Sequence, residues 1–377
     1  MKTNILIILG RYVPGFKDGG PVRSILNLVN IFGDQANFKI MTADRDRDDI
    51  KPYDNIRVNE WNQVGKASVF YVKNGVFKYR QIKQCASECD TIYLCGIFNH
   101  YILRTLLLKR LRLIHSKVII APMGTFSPGA FNFNKQNKFL YLSFLKTLGL
   151  FSGVAWSVSS TMEQFDLYQN CHNPKQIFIA EDLPRQPLPH LSFEPKIVNQ
   201  LNIIFISRIS RKKNLSYAIE LVAELKGNIQ FSIYGTMEDV GYWNECQKLI
   251  DGLPSNIQCN YMGEANSEAV LNLFAGSQVF LFPTLGENFG HVIYESLASG
   301  CIAVISDQTP WQDLGQNDCG KVIPLSQRQR MIDTLQSYVK MDEPEFSILR
   351  SNAINYATAK YHHSLQNSGY KAILKID

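Results

Sequence analysis

The stretch VFLFPTLGENFGHVIYESLASGCIAVI, residues 279–305, predicts a strand, a turn, a helix and a second strand. The apolar run Val279–Phe282 has the length of a buried strand, and the Pro and Gly that follow it end that strand. A helix is expected to begin near Phe289–His291, and Ile302–Ile305 predicts the next strand. Because the first N–H groups of a helix are free to bind phosphate, the stretch predicts a doubly wound α/β domain with an anion site.

The alternation of apolar runs with helical patterns repeats over both halves of the 377-residue chain. Further strands are expected at Asn4–Leu9, Phe38–Met41, Thr91–Leu94, Lys117–Ala121, Val154–Ser157, Asn202–Ser207, Ile229–Tyr234 and Ile257–Tyr261. Repeated strand–helix units predict two doubly wound, Rossmann-like parallel-sheet domains. Ligand-binding loops belong at the carboxyl ends of the strands, so we expect the active site in a cleft between the domains.

The segment 184–198 holds four prolines and is the expected linker between a first domain, 1–183, and a second, 199–355. Residues 1–185 carry 24 Lys and Arg against 14 Asp and Glu, whereas residues 186–377 carry 15 against 19. The basic first domain is therefore expected to meet an anionic partner. Nucleic acid is not the predicted partner, because the chain has no basic helix repeat, RNA-recognition motif or zinc knuckle.

The composition is that of a globular protein, with 45% apolar and 19% charged residues. No apolar run approaches the ~18 residues of a spanning helix, and the run before Gly10 is too short for a secretory signal. The eight cysteines form no CxxC pair, which predicts reduced thiols. We predict a cytoplasmic protein, with peripheral association on the inner face of the cytoplasmic membrane as a further possibility.

Two glutamates flank the predicted phosphate-binding turn. Glu287 stands just before the helix, where it can reach sugar hydroxyls, and Glu295 lies inside the helix, where it can accept from a ribose. Two ordinary helix glutamates would have the same spacing. The Gly-containing turn and the small-residue helix that follow favour the ligand-binding interpretation.

From Val279 to Pro310 the order of parts resembles the signature of the retaining GT-B glycosyltransferases of family 4. The resemblance implies that Glu287 orients the donor sugar and that Glu295 holds the ribose. It also implies that the phosphates bind to the backbone N–H groups of Asn288, Phe289, Gly290 and His291. The same resemblance suggests that the last segment, 356–377, is a helix that packs back on the first domain.

A basic loop follows the strand predicted at Asn202–Ser207. Arg208, with Lys213 five residues later, is similar to the family's pair of phosphate-neutralising cations, although Ser207 stands where the family has Gly. A solvated surface loop is the alternative interpretation. Placement directly after a buried strand favours stabilisation of the diphosphate leaving group.

Three Gly-containing turns resemble loops that contact the nucleotide in this family. Gly19 and Gly20 lead from the first strand into a helix, and two glycines there let a ligand approach the backbone closely. Gly235 and Met262 lie in turns that resemble those near the base and the nucleotide. The first turn lacks G-x-G-x-x-G, which argues against a nicotinamide dehydrogenase.

One position departs from the family. Where many relatives have a His-Gly pair near the reacting sugar, this chain has Met123-Gly124, and Met123 cannot transfer a proton. No first-domain catalytic residue is therefore assigned. The surrounding Ala-Pro-x-Gly pattern and the Thr309–Trp311 segment resemble transferases of bacterial surface-polysaccharide synthesis. Asp44-Arg-Asp46 contains the D-x-D of unrelated metal-dependent transferases, but we interpret it as a charged loop and predict no metal site.

The resemblance implies transfer of a hexose or N-acetylhexosamine from a UDP-sugar, with retention of configuration and without a metal or other cofactor. The 1–183 domain would bind the acceptor, a polyprenyl-pyrophosphate-linked glycan of O-antigen or a similar surface polysaccharide. The 199–355 domain would bind the UDP-sugar donor. Two alternatives remain open: another GT-B enzyme, such as a nucleotide-sugar epimerase or a phosphorylase, and a non-catalytic sugar-nucleotide-binding subunit.

Two basic and apolar segments suggest contact with an anionic membrane surface. Residues 101–114 combine leucines with arginines, and residues 134–151 interleave lysines with aromatic side chains. Basic amphipathic helices of this composition lie on anionic bilayers. Core helices whose lysines extend to solvent have the same pattern, so the sequence leaves both interpretations open.

Overall fold

The computed structural model describes residues 2–131, 134–171, 174–187, 191–265 and 269–376, and the strands in this part of the chain form two sheets. Three residues of the predicted linker, 188–190, lie outside the described residues. The strands are β1 Asn4–Ile8, β2 Asn37–Ala43, β3 Trp61–Val64, β4 Ala67–Val72, β5 Thr91–Cys95, β6 Lys117–Ala121, β7 Val154–Val158, β8 Ile177–Ile179, β9 Gln200–Ile206, β10 Asn228–Tyr234, β11 Ile257–Tyr261, β12 Val279–Phe282, β13 Ile302–Ile305 and β14 Gly320–Val322.

Helices connect these strands. They are α1 Gly20–Phe32, α2 Tyr79–Ala86, α3 His100–Arg110, α4 Pro128–Phe131, α5 Lys135–Thr147, α6 Thr161–Asn170, α7 Leu215–Val222, α8 Val240–Asp251, α9 Val270–Ala275, α10 His291–Ala298, α11 Arg328–Lys340, α12 Glu343–Gln366 and α13 Gly369–Leu374. Within the described residues, no helix has the length and apolar composition needed to cross a bilayer.

The chain divides into two compact units, one of Met1–Leu183 with Ser364–Asp377 and one of Pro184–His363. In the first unit the strand order is β3–β4–β2–β1–β5–β6–β7–β8. Among the strands described in this sheet, only β3 and β4 pair antiparallel, through a two-residue loop that starts at Gly65, where φ is 55°. The order reverses between β1 and β5, and loops that follow such a pair flank the ligand crevice of an open parallel sheet.

Both faces of the first sheet are buried, as the period-two geometry of a strand requires. In β1, Leu6 and Ile8 face the helix layer of α2, α3, α5 and α6, whereas Ile5 and Ile7 face the layer of α1 and α13. This two-sided burial explains why β1 has a continuous apolar sequence rather than an alternating one.

In the second unit the order is β11–β10–β9–β12–β13–β14, with all pairs parallel. The reversal falls between β9 and β12. The core contains β9, β12 and β13 and extends to Phe346, Ala353 and Ala357 of α12. These two sheets confirm the predicted fold class of two doubly wound parallel-sheet α/β domains.

Four strands have no counterpart among the strands expected from the sequence: β3, β4, β8 and β14. Three of them, β3, β8 and β14, form sheet edges, where half of the backbone groups lack a strand partner. Edge strands need fewer apolar residues, so their local sequence signal is weak.

The Pro-rich segment assigned to a linker lies along the second unit. The Lys196 ammonium is buried and donates to the carbonyls of Ile197 at 2.7 Å, Val339 at 3.2 Å and Met341 at 3.1 Å. The Arg350 guanidinium donates to the carbonyl of Glu194 at 3.2 Å. These bonds hold the described part of the segment against the end of α11 and the first turns of α12.

The C-terminal helix differs from its expected bounds. Helix α12 begins at Glu343, and the backbone N–H of Glu345 donates to the Asp342 carboxylate at 3.0 Å. Asp before a helix, followed by Glu-Pro-Glu, is a start signal that the helix prediction overlooked. The chain enters the first unit at Ser364, and the separate helix α13 packs there through Tyr370 and Ile373.

Candidate functional site

The loops that follow β9 and β12 meet at the strand-order reversal of the second sheet. The carbonyl of Lys212 accepts from the N–H of Leu285 at 2.8 Å and from the Thr284 hydroxyl at 3.2 Å. The Asn214 side chain donates to the carbonyl of Pro283 at 2.9 Å, and the positive φ of 59° at Asn214 turns the chain into α7. The loops after β9 and β12 are therefore joined by hydrogen bonds at the carboxyl edge of the sheet, and we call this pair of loops the ledge. Open α/β sheets bind ligands at this edge.

Lys213 and Glu287 form an ion pair on this ledge. Their side chains are only 12% and 13% exposed, and the Lys213 ammonium lies 5.4 Å from the centre of the Phe282 ring. The Thr284 hydroxyl lies 3.4 Å from the Glu287 carboxylate. Low exposure strengthens the interaction of both charges with any third charge at the site, because water screens them less.

Arg208, the other predicted cation, has a different partner. Its guanidinium donates to the Glu238 carboxylate at 2.5 Å, and both side chains are about one-third exposed. The next arginine, Arg211, pairs with Glu245 on α8 at 2.5 Å and covers the Tyr242 ring. The structure thus brings Lys213 and Glu287 together. It pairs Arg208 with Glu238, which follows β10, and it pairs Arg211 with a residue outside the ledge.

The eight-residue helix α10 starts at the end of the ledge. Its N-cap is Gly290, with φ of 82°, and a Cβ atom there would lie 2.9 Å from Ile293 Cδ1. The carbonyl of Phe289 accepts from the Trp311 indole N–H at 2.5 Å, and the two rings pack edge to face. Trp311 therefore holds the predicted phosphate-binding turn in place. Asn288 is half-buried beside it.

Two further predicted residues lie on α10 and are buried. The His291 side chain is 8% exposed, and its ring centre lies 4.8 Å from that of Phe289. The Glu295 carboxylate faces Arg185, with 3.9 Å between the Glu295 Oε1 and Arg185 Nη1 atoms. The site prediction did not include Arg185, because its segment had been assigned to a linker.

Gly235 joins three strand ends in the second sheet. Its φ is 147°, and a Cβ atom there would lie 1.7 Å from the carbonyl oxygen of Ser207. The Gly235 N–H donates to the carbonyl of Gly263 at 2.9 Å, and the Tyr261 hydroxyl donates to the Gly235 carbonyl at 2.7 Å. Met262 directly follows the edge strand β11, two strands from β9, and is 54% exposed.

In the first unit, the Gly-rich turn leads into α1. Gly19 has φ of 63° and precedes the helix, and a Cβ atom added at Gly19 or Gly20 would have no neighbour within 4 Å. The Asp46 carboxylate supports this turn by accepting from the N–H groups of Phe16 at 2.7 Å and Lys17 at 3.1 Å. Asp46, the second aspartate of the D-x-D sequence, therefore holds this loop in place through hydrogen bonds.

The first aspartate of the D-x-D sequence, Asp44, pairs with Arg45 at 2.9 Å and accepts from the Asn74 N–H at 3.1 Å. Among the described residues, no group of three or more His, Cys, Asp or Glu has an arrangement that could hold a metal ion. Both aspartates therefore have structural partners in the first unit.

The buried carboxylate of Glu163 lies beside Met123, the residue at the position where the resembled family has histidine. Met123 has a left-handed φ of 53°, and the N–H of the next residue, Gly124, donates to Glu163. The second oxygen of Glu163 accepts from the Ser159 N–H at 2.7 Å and the Ser159 hydroxyl at 3.0 Å. Glu163 therefore ties the strand-end loops after β6 and β7 together.

Asp182 is a second buried carboxyl group near Glu163. Burial, and secondly the charge of Glu163, raise the pKa of Asp182 to about 7. The Tyr370 hydroxyl lies 3.4 Å from Asp182. The site prediction overlooked both carboxyl groups, although Ser160 and Glu163 have the spacing of a helix N-cap and its N3 residue, which can be recognised in a sequence.

His100, another residue near a strand end, is an aromatic contact in the first unit. It begins α3, and its ring centre lies 5.5 Å from that of Phe77. Partial burial and the neighbouring Arg104 lower the pKa of His100.

Comparison with known proteins gives a family match for the second unit. Residues 191–360 match the family model described as "Glycosyl transferases group 1". A glycogen synthase from Fusobacterium nucleatum subsp. nucleatum is 28% identical over 148 residues, which make up 37% of this chain and 31% of that protein. The chain thus matches about a third of the length of this curated relative.

Solved structures share the fold of both units. HepE of Anabaena, solved with UDP and glucose, has a TM-score of 0.70 at 14% identity, with 99% of this chain and 100% of that chain covered. WaaG, a glycosyltransferase involved in lipopolysaccharide biosynthesis, has a TM-score of 0.66 at 14% identity over 99% of each chain. Sucrose-phosphate synthase of Thermosynechococcus elongatus has a TM-score of 0.67 at 12% identity, with 99% of this chain and 97% of that chain covered. The predicted GT-B fold is confirmed.

Proposed function

We propose that the protein is a glycosyltransferase that takes a hexose or N-acetylhexosamine from a UDP-sugar. The observation that carries this proposal is the Lys213–Glu287 ion pair, which lies at the strand-order reversal beside the N-terminus of α10. A cation, a carboxylate and the N–H groups of a helix N-terminus at one edge of a sheet match the needs of a sugar diphosphate. The family match over residues 191–360 and the UDP bound to HepE support the same conclusion.

The diphosphate would bind at the N-terminus of α10, where it competes with Glu287 for the Lys213 ammonium. Glu287 would then be available to accept hydrogen bonds from the donor sugar. As the bond between the anomeric carbon and the diphosphate breaks, negative charge grows on the leaving oxygen, and Lys213 and Arg208 would stabilise it. Glu295, paired with Arg185 in a buried position, would hold the ribose.

Retention of configuration follows if the acceptor attacks on the face that the phosphate leaves. The acceptor oxygen forms the new bond to the anomeric carbon, and its proton passes to the departing phosphate oxygen of UDP. This route needs no proton-transfer residue in the first unit, which agrees with Met123 at that position. It also needs no metal ion, because the positive charge comes from side chains and a helix terminus.

The proposed acceptor is a glycan on a polyprenyl pyrophosphate, as in the synthesis of O-antigen and related surface polysaccharides. The excess of Lys and Arg in residues 1–185 supports an anionic acceptor. The fold similarity to WaaG and the resemblance to surface-polysaccharide transferases favour this setting over glycogen synthesis.

The test is UDP release from a panel of UDP-sugars, with a short-chain polyprenyl-pyrophosphate sugar as acceptor. Wild type and Glu287→Ala are compared, and proton NMR of the product reports its anomeric configuration. We expect acceptor-dependent release from one donor, lost in the variant, and a product with the donor's configuration.

Other results would assign a different function. Sugar conversion without an acceptor would indicate an epimerase, and phosphate-dependent glycan cleavage would indicate a phosphorylase. If titration detects no binding of any sugar nucleotide, the transferase proposal is wrong. Binding without turnover of any donor would favour a non-catalytic subunit.

A further inference from the structure

Helices α3, α5 and α6 form one continuous layer on the first sheet. They connect β5, β6, β7 and β8 in order, and successive right-handed crossovers in one direction place their helices on the same face. Ile102 of α3, Leu142 of α5 and Leu167 of α6 share one buried cluster, which confirms this arrangement. The opposite sides of the helices form the outer face of the layer.

The end of α3 lies beside the turn that follows α5. A Cβ atom on Gly149 would lie 3.9 Å from Arg110 Nε, and one on Gly153 would lie 3.9 Å from Lys109 Cε. Residues 101–114 and 134–151, which the sequence marks as two separate basic and apolar segments, therefore meet in one surface.

Large apolar side chains project from this layer into solvent. We name them and their helices the α3–α5–α6 surface. Its exposed apolar members are Leu111 (65%), Leu113 (44%), Phe139 (55%), Leu140 (65%), Phe144 (51%), Leu148 (43%), Met162 (53%), Phe165 (62%) and Tyr168 (54%). Leu140, Phe144 and Leu148 are four residues apart, so they form one stripe along α5, opposite the buried Leu142 and Leu145. An exposed apolar stripe of this kind marks an interaction site.

In the chain segment that forms most of the α3–α5–α6 surface, all charged side chains are positive. From Thr91 to Met162 the sequence has eight Lys and Arg and no Asp or Glu. Arg110, Arg112, Lys135 and Lys146 are exposed, and in the part of the chain that the structure describes none of them forms an ion pair. The partly exposed Asp166 on α6 only slightly offsets these cations.

We propose that the α3–α5–α6 surface docks on an anionic lipid bilayer. The apolar stripe of α5 and the residues on α6 would enter the interface between headgroups and acyl chains, while the four cations contact lipid phosphates. Aromatic side chains with lysines beside them are the composition that this interface favours. The proposal goes beyond the proposed function, because docking requires neither donor nor turnover.

A second copy of the chain fits this surface less well. A two-fold dimer through the same patch would place Arg110, Arg112, Lys135 and Lys146 of one copy against the same cations of the other. With few carboxylates to neutralise them, these charges would oppose association. A bilayer with anionic headgroups supplies the complementary charge.

The experiment is co-sedimentation of the full chain with vesicles in low salt, without sugar nucleotide or acceptor. One set of vesicles is phosphatidylcholine, and the other is equal parts phosphatidylcholine and phosphatidylglycerol. Variants are Leu140→Gln with Phe144→Gln, and Lys135→Gln with Lys146→Gln. The matched control is Lys340→Gln with Ile348→Gln in the second unit, where Ile348 is 62% exposed.

We expect binding to the anionic vesicles at least about tenfold above binding to phosphatidylcholine, and a loss on raising the salt concentration. Each α5 double variant should lose about tenfold or more in affinity, whereas the control keeps the wild-type affinity. Because the replaced side chains are exposed, all variants should keep the wild-type unfolding midpoint.

Equal binding to both vesicles, or unchanged binding of both α5 variants, would overturn the proposal. So would a dimer in light scattering that Leu140→Gln with Phe144→Gln converts to a monomer, since the surface would then belong to a second copy. Because these assays contain no donor, a failed transferase assay leaves their outcome unaffected.

Discussion

The Lys213–Glu287 pair shows how position gives two ordinary residue types an unusual environment. On a solvated helix such a pair would contribute little to stability, because water screens both charges. Here each side chain is more than four-fifths buried, and the N-terminus of α10 follows within a few residues. The sequence spacing predicted both residues as site members, but their direct contact depends on β9 and β12 being neighbours.

Replacing the two predicted cations tests the proposed stabilisation of the leaving group. We expect Lys213→Met and Arg208→Met each to lower kcat by about a hundredfold or more, since each would remove positive charge where the diphosphate gains negative charge. The measurement is donor turnover under saturating substrate, together with the thermal unfolding midpoint.

The matched control for the cations is Arg211→Met. Arg211 lies in the same loop, its side chain is 61% exposed, and its partner is Glu245 on α8. We expect its kcat to stay within about twofold of wild type. Unchanged turnover in both Lys213→Met and Arg208→Met would contradict the role assigned to them.

At the scale of elements, α6 shows how a helix start can organise two loops. The Ser160 hydroxyl accepts from the Glu163 N–H at 3.1 Å, which caps the helix and directs the Glu163 carboxylate back toward β6 and β7. There it meets the N–H groups of Gly124 and Ser159. The capping pattern is visible in the sequence, but the contact with Gly124 bridges 39 residues.

The buried carboxyl group of Asp182 leads to a prediction on pH and stability. Its folded pKa is raised to about 7 from 3.8, by burial first and by Glu163 next. A raised folded pKa means that the folded chain keeps a proton that the unfolded chain releases. The resulting stability is fully present below about pH 4 and is lost as pH rises through about 7. Asp182→Asn cannot ionise, so it avoids this loss.

We therefore expect Asp182→Asn to gain in free energy of unfolding relative to wild type as pH rises from 4 to 7, by roughly 2–4 kcal/mol. Urea denaturation at a series of pH values measures the difference. The exposed Asp251→Asn serves as control and should show a difference from wild type that does not vary across this window. Parallel profiles for wild type and Asp182→Asn would show that Asp182 titrates normally.

At the scale of the whole molecule, the chain builds a doubly wound sheet twice, with eight described strands in the first unit and six in the second. Each sheet reverses its strand order once, between β1 and β5 in the first unit and between β9 and β12 in the second. In both units the predicted site residues lie on loops at the carboxyl ends of strands or on the helices that follow those loops. Parallel strands buried on both faces hold such loops rigidly, which is why function concentrates there.

The proposed chemistry predicts that turnover does not depend on a metal ion. Arg208, Lys213 and the N-terminus of α10 would supply the positive charge that a divalent cation supplies in metal-dependent transferases. We expect EDTA to leave kcat within about twofold of the untreated protein, and added Mg²⁺ to have no larger effect. Activity that EDTA abolishes and Mg²⁺ restores would show that a metal takes part in the reaction.

Much of the architecture could be predicted because it is encoded locally. Strands such as β6, β12 and β13 are buried apolar runs, and the structure places each at its expected bounds. The edge strands β8 and β14 were overlooked because only three residues form each. Helix α12 was misplaced because its Asp342 cap precedes the last apolar pattern by several residues.

By itself, the sequence determined the two doubly wound units and which loops follow their strands, since continuous apolar runs and the glycines and prolines that end them act over a few residues. Only the tertiary structure decided which charges meet: Lys213 with Glu287, Arg208 with Glu238, and Arg185 with Glu295. These contacts depend on strand order and on the path of a Pro-rich segment over the second unit. Because they join residues 30 to 110 positions apart, no local pattern specifies them.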